Sequence, residues 1–361
     1  MALLTQWYIA VAVLAVSFVT QEAFVPTVHA ADSSFCGIVP QQLFCTEHRV
    51  HSPDGFELVL HRLSHGTATD SGATPVLIMH SEFLNADSWF ELTSPADELL
   101  PLLLVNSGLD VWVGHERATY WSHGHLSLET NDTRFWDWTW DDQAQNDVPT
   151  YLDYINNTTG SAVHYIGLSQ SATAGAAAAT ILRTSPMIKS LTLIGPTIYT
   201  GNTTSVILAT WAFLFGDLID QGNYDNGYQN GAFNFTTAFP GITSINGQSP
   251  VAAALQIISG LRTNTWSRFA YRTADRNNQA YGVPVAPNYH PEDIPTNIPV
   301  LVVYGGNDAV APKAGVHLLL SRLRNVQTVF LPGYAHYDLL WSSRRTQDIF
   351  LPVLQFLQRH G

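Results

Sequence analysis

Ser169, Asp308 and His336 lie far apart in the chain, yet their types and order are those that acyl-transfer chemistry needs. A serine hydroxyl attacks a carbonyl only once a base takes its proton. An imidazole can be that base, and a carboxylate can fix its tautomer and stabilise the imidazolium. Each of the three follows an apolar run: AVHYIG (Ala162 to Gly167), PVLVVYGG (Pro299 to Gly306) and QTVFLPG (Gln327 to Gly333). The order Ser, Asp, His is that of a nucleophile elbow with its later acid and base. The serine itself stands in GLSQSATAGAAAAT, where the second glycine of G-x-S-x-G is Ser171. Taken alone, Ser169 reads equally as a nucleophile or as a serine opening a buried small-residue helix. Asp308 and His336 tip the reading to the nucleophile.

A developing oxyanion needs two backbone N–H donors. The amide of Gln170, directly after the serine, is one candidate. The other falls in HSEFL, after the run PVLIMH (Pro75 to His80), at the amide of Glu82. A carboxylate beside an oxyanion is repulsive, so the Glu82 side chain must point away or activity is poor.

These residues need elements to hold them. PVLIMH, LDVWVG (Leu109 to Gly114), AVHYIG, SLTLIG (Ser190 to Gly195) and PVLVVYGG are apolar on both faces, as central parallel strands are. FELVLHRL (Phe56 to Leu63) alternates like a half-buried strand after an SPDG turn. Helical patterns cover Asp141 to Ile155, Gln170 to about Arg183, Pro312 to Arg324 and Thr346 to Arg359. Proline in the first and last predicts a late start or a bend. Strand–helix alternation predicts an α/β doubly wound sheet, with ligands beyond the strand carboxyl ends. From 196 to 298 the rhythm breaks, no clean strand is evident, and Ile207 to Ile219 and Ser249 to Leu261 read as helices. The expected layout is a signal peptide over 1–30, a first core part over 31–195, a cap or lid insertion over 196–298, and a second core part over 299–361.

The bulk properties narrow the partners. Hydrophobic residues make up 46% and charged residues 12%, which fits a sizeable core rather than disorder. A net charge of −13 with only Lys189 and Lys313 as lysines disfavours nucleic acid and anionic membranes. An apolar stretch from Trp7 to Val19 followed by VHA reads as a cleavable secretory signal. The pair Cys36 and Cys45 suits one short disulfide in an oxidising compartment. Glycosylation sequons stand at Asn131, Asn156, Asn157, Asn202 and Asn234, the adjacent pair not both usable. Together these place the protein outside the cell or in an endomembrane lumen.

The chain also resembles the acid lipase family of α/β-hydrolases, which includes gastric and lysosomal lipases and secreted plant triacylglycerol lipases. The blocks that carry the likeness are CTEHRVHSPDGFELVLHRL (Cys45 to Leu63), PVLIMHSEFLNADSWF (Pro75 to Phe90), GLDVWVGHERATYWSHGHLSL (Gly108 to Leu128), FWDWTWDDQAQNDVPTYLDYI (Phe135 to Ile155), HYIGLSQSAT (His164 to Thr173), VYGGNDAVAP (Val303 to Pro312) and YAHYDLLW (Tyr334 to Trp341). The resemblance implies the α/β-hydrolase fold, a mostly parallel doubly wound sheet with a helical cap insertion. It puts Ser169 at the nucleophile, Asp308 at the acid, His336 at the base, and the amides of Glu82 and Gln170 at the oxyanion donors. It also implies an acidic working range. The chain departs from the family at Leu168 and Ser171 (G-H-S-x-G), at Ser81 and Glu82 (His-Gly-Leu) and at Ala118 (R-G-T).

The expected activity is hydrolysis of neutral lipid or similar apolar esters through an acyl-enzyme, with no cofactor and with a lipid–water interface as a possible setting. The competing reading is a weakly active or inactive hydrolase-fold protein that binds an apolar ligand, motivated by Ser171, Ser81 and Glu82. A peptidase or thioesterase on the same scaffold fits the blocks less well. His123 and His125 sit at strand spacing without a third ligand, so no metal is expected, and His125 reads as bonded within its loop. Trp136, Trp138 and Trp140 fit core or loop packing better than an acyl site. Trp211, Phe213, Phe215, Phe233, Phe235 and Phe239 either touch a lipid chain or form the cap's own core. Oligomeric state is left open.

Overall fold

The computed structural model describes residues 34–66, 72–82, 84–90, 98–205, 232–234, 248–271 and 273–361. The expected secretory segment, the helix over 207–219 and the aromatics Trp211, Phe213, Phe215, Phe235 and Phe239 lie outside the described residues.

A short helix α1 (Phe35–Ile38) leads into β1 (Phe44–His51) and β2 (Phe56–Ser64), an antiparallel hairpin. The turn between them is the SPDG stretch, closed by the Gly55 amide on the Ser52 carbonyl at 2.9 Å. There follow β3 (Pro75–Met79), α2 (Leu100–Asn106), β4 (Asp110–Gly114), the two-residue β5 (Gly124–His125), α3 (Val148–Thr159), β6 (Val163–Leu168), α4 (Gln170–Ala179) and β7 (Ile188–Ile194). Then come β8 (Ala232–Asn234), β9 (Gln248–Pro250), α5 (Val251–Thr263), α6 (Ala274–Tyr281), β10 (Val300–Gly305), α7 (Lys313–Arg322), β11 (Val326–Leu331), α8 (Asp338–Trp341) and α9 (Leu351–Arg359).

Among the described residues the main sheet runs β1-β2-β4-β3-β6-β7-β10-β11, with β5 beside β2. All pairs from β4 to β11 are parallel, and β2 is antiparallel to both its neighbours. The strands read as continuous apolar runs because both faces are covered. Leu77, Met79 and Trp112 point into one core layer with Tyr151 and Tyr165, while Val76, Ile78, Val111 and Val113 point into the other with Phe350 and Phe356. Trp136, Trp138 and Trp140 are buried in the first of these layers.

Several expectations change in detail. β2 is buried on both faces rather than half-buried, since Phe56, Leu58 and Leu60 pack into one core layer and Leu63 into the other. β11 is an edge strand, and its alternation leaves much of it exposed. The stretch from 196 to 298 does contain strands: β8 pairs with β9, and Ser267 bridges Asn288. These ladders are only one to three residues long, too short for a period-two pattern to register. α5 covers most of the helix expected over Ser249 to Leu261. Both proline-containing helices solve their missing N–H in one way. Pro149 and Pro352 fall at the second residue of α3 and α9, and each helix is preceded by a wide π turn, Gln143–Asp147 and Thr346–Phe350.

Arg117, just beyond β4, is 1% exposed. Its Nη1 donates to Asp54 Oδ2 at 2.7 Å in the β1–β2 turn, and its Nε donates to Asp147 Oδ2 at 2.8 Å in the π turn before α3. One guanidinium thereby ties three separate segments. Arg117→Met would leave the buried Asp147 without its cation, and chemical denaturation should show a loss of about 3–5 kcal/mol.

Candidate active site

Ser169 is the single residue between β6 and α4, and it adopts φ 57° and ψ −113°. A non-glycine residue there is strained, and the strain is held by its neighbours: the Ser169 amide donates to the Ile194 carbonyl at 2.7 Å, and its own carbonyl starts α4 by accepting from Thr173 at 3.2 Å. The spacing GLSQS now has a physical reading. A Cβ on Gly167 would lie 2.7 Å from the Ser171 carbonyl and the Ala172 amide, so the first glycine is obligatory. Ser171 has no such conflict, because its hydroxyl finds partners outside the elbow: the His80 carbonyl at 2.5 Å and Glu116 Oε1 at 2.6 Å.

His336 arrives on the loop after β11. Its Nε2 is 2.8 Å from Ser169 Oγ, and its Nδ1 is 2.7 Å from Asp308 Oδ2. A carboxylate only accepts, so Nδ1 carries the proton and Nε2 is free to accept from the serine. The other oxygen, Asp308 Oδ1, accepts from the amides of Val310 at 2.8 Å and Ala311 at 2.7 Å. All three side chains are buried. The loops bearing Asp308 and His336 are laced together by Gly306 donating to Leu331 at 2.8 Å and Asn307 donating to Tyr334 at 3.0 Å. Such contact needs bare backbone: a Cβ on Gly305 would meet the Tyr334 carbonyl at 2.1 Å, and one on Gly306 would meet the Pro332 carbonyl at 2.3 Å.

Gln170 opens α4, so its amide is among the helix donors without an intrahelical acceptor. Glu82 sits beside it, with the Gln170 side-chain amide donating to the Glu82 carboxylate. The Glu82 side chain thus lies against the start of α4. Burial raises its pKa to about 7, opposed by the Gln170 hydrogen bond, so the group is largely neutral in mild acid.

The remaining candidates are elsewhere. Cys36 and Cys45 are joined as a disulfide between α1 and β1, at the far edge of the sheet from β10 and β11. His125 is engaged by the Asp54 carbonyl at 3.0 Å and by the amides of Ser127 and Leu128. His123 meets the Tyr120 carbonyl at 2.8 Å. Asn131, Asn157 and Asn202 are exposed and Asn156 is half-buried, while Asn234 lies on β8.

Glu116 and His80 escaped the sequence reading. Both are fully enclosed at strand ends, where the Glu116 amide donates to His80 Nε2 at 3.0 Å. Their position just past LDVWVG and within PVLIMH was the available signal, since this sheet edge is where chemistry gathers.

No protein-family model matches the chain. It is 28% identical over 360 residues to Triacylglycerol lipase 1 of Arabidopsis thaliana, covering 90% of this chain and 91% of the relative. To the human Lysosomal acid lipase/cholesteryl ester hydrolase it is 25% identical over 360 residues, covering 87% and 88%. To human Gastric triacylglycerol lipase it is 23% identical over 350 residues, covering 86% and 87%. Among solved structures, a soluble variant of monoglyceride lipase from Saccharomyces cerevisiae superposes with TM-score 0.56 at 14% identity, over 93% of this chain and 99% of that one. A thermophilic esterase from Thermogutta terrifontis gives TM-score 0.50 at 15% identity, over 87% and 99%. The solved structures speak to the fold, which is that of the α/β-hydrolases. The relatives go further than the fold: the chain is similar, nearly end to end, to plant, lysosomal and gastric lipases alike, which supports the acid lipase family.

Proposed function

We propose that the protein is a carboxylic ester hydrolase of lipase type, acting on neutral lipid esters through an acyl-enzyme on Ser169. The observation that carries this is the unbroken line from Ser169 Oγ through the His336 imidazole to the Asp308 carboxylate, at 2.8 and 2.7 Å. His336 Nε2 takes the serine proton as Oγ attacks the ester carbonyl, and the imidazolium is stabilised by Asp308. The amides of Gln170 and Glu82 receive the oxyanion. The imidazolium then protonates the departing alcohol. Water, activated by the same imidazole, releases the acid and restores the serine. The residues present suffice for these steps. The named lipase relatives support a neutral lipid as substrate and support a secreted or lumenal setting, consistent with the Cys36–Cys45 disulfide and the exposed sequons.

A second reading, apolar-ligand binding with little turnover, rests on the Glu82 carboxyl beside the oxyanion position. Hydrolysis of short p-nitrophenyl esters, triglyceride and cholesteryl ester separates the two. Ser169→Ala should lower kcat about 10⁴- to 10⁶-fold, as removal of a triad nucleophile does. Absence of Ser169-dependent turnover on every ester would leave the binding reading in its place.

The raised pKa of Glu82 sets a sign. The group is neutral below about 7 and gains charge above it, so repulsion of the oxyanion grows as pH rises. Its partial exposure screens the effect to a few-fold. Glu82→Gln should therefore raise kcat/KM at pH 8 by roughly 3- to 10-fold and leave it nearly unchanged at pH 5. A pH–rate profile of both forms measures this.

A further inference from the structure

We propose that Glu116 is a positioning residue held as a neutral carboxylic acid, whose proton, handed to Ser171, pins the His80 carbonyl and so fixes the oxyanion loop against the nucleophile helix. This rests on Ser169 being the nucleophile and residue 82 an oxyanion donor.

The argument is one of donors and acceptors. Ser171 Oγ carries a single proton and lies 2.5 Å from the His80 carbonyl and 2.6 Å from Glu116 Oε1. A carbonyl oxygen cannot donate, so the hydroxyl proton belongs to the His80 contact. The contact with Glu116 then closes only if the acid supplies the proton. With an ionised Glu116, two acceptor oxygens would compete for the single Ser171 hydrogen in a buried space.

Among the described residues, nothing around the carboxyl supplies the missing positive charge. From the loop after β3 it faces Glu82, and from the π turn before α3 it faces Asp147, both of its own sign. The Gln143 side chain lies close enough to favour the ionised form, the weakest influence on the group, although neither of its polar atoms has a hydrogen-bond partner within bonding geometry. Tyr165 of β6 donates its hydroxyl to the Ser171 carbonyl. On its own segment, Arg117 has its guanidinium committed to Asp54 and Asp147. His80 and His115 are held neutral by burial, which lowers the pKa of both. Burial first, and the Glu82 charge second, push the Glu116 acid well above the usual carboxyl range.

The same residue grips His80 twice. Its amide donates to His80 Nε2 at 3.0 Å, while His80 Nδ1 lies 3.0 Å from the Ser81 carbonyl. The acid reaches the His80 carbonyl through Ser171. His80 is two residues before Glu82, so a slack clamp would let an oxyanion donor drift while the triad stayed in place. The serine that breaks the G-x-S-x-G pattern thereby becomes part of the site.

The test compares Glu116→Gln, Glu116→Ala and Ser171→Ala with wild type on a short ester, alongside circular dichroism and thermal melting of each. The amide of Glu116→Gln can donate where the acid did, so its kcat should stay within about threefold of wild type. Glu116→Ala and Ser171→Ala should lose about 10- to 100-fold in kcat with KM little changed, the scale of a small misplacement in a catalytic group. Infrared difference spectra of wild type minus Glu116→Gln at neutral pH should show the carbonyl stretch of a protonated carboxylic acid. A Glu116→Gln enzyme as slow as Glu116→Ala, or no such band, would overturn the proposal. If wild type shows no Ser169-dependent turnover, the hydrolase reading fails separately, and the infrared band still decides the state of Glu116.

Discussion

A serine held at positive φ is costly, by roughly 1–2 kcal/mol for a residue with a Cβ, and the sheet edge is built to keep it there. The Ile194 carbonyl on β7 holds the Ser169 amide, α4 begins on its carbonyl, and Gly167 lets the first turn of that helix pass over the strand end. Without this strained turn Oγ would lie down along the strand or helix, out of reach of a base on another loop. With it, a hydroxyl stands up at the carboxyl edge of the sheet, and the imidazole from the far side can meet it.

Carboxyl groups at this edge are sorted by their wiring rather than by residue type. Asp308 accepts from two backbone amides and an imidazole, so every nearby dipole favours it as an acceptor. Glu116 faces a hydroxyl and two other carboxyl groups in a buried site, an environment that favours its acid form. Glu82 lies between these extremes, at the border with solvent. A chain this acidic carries its negative charge into its own site, and the site tolerates it by burying some groups as acids.

The grouping of Ser169, Asp308 and His336 was legible because its parts obey local rules: each residue follows an apolar run, and apolar runs at a parallel sheet's centre are long and unbroken. β1 was less so, because FCTEHRVH is a polar edge strand with no buried face to write a pattern. The short ladders at β8 and β9 were invisible for want of length. Both proline helices were found, yet the π turns that admit Pro149 and Pro352 depend on backbone geometry that no periodicity records. Glu116 was missed for a different reason. Its partner Ser171 is 55 residues away, and their contact exists only once β4 and β6 flank β3. Single-residue oddities in a motif are readable in sequence; the remote side chain that accommodates them is not.

β7 and β10 are hydrogen-bonded neighbours, although the whole stretch between Ile194 and Val300 separates them along the chain. The longest excursion of the polypeptide therefore leaves and re-enters the sheet within one strand spacing. Its length and composition can change while the strands that carry Ser169, Asp308 and His336 stay set by parallel pairing. Within such an architecture, a long segment can vary without disturbing the strand order on either side of it.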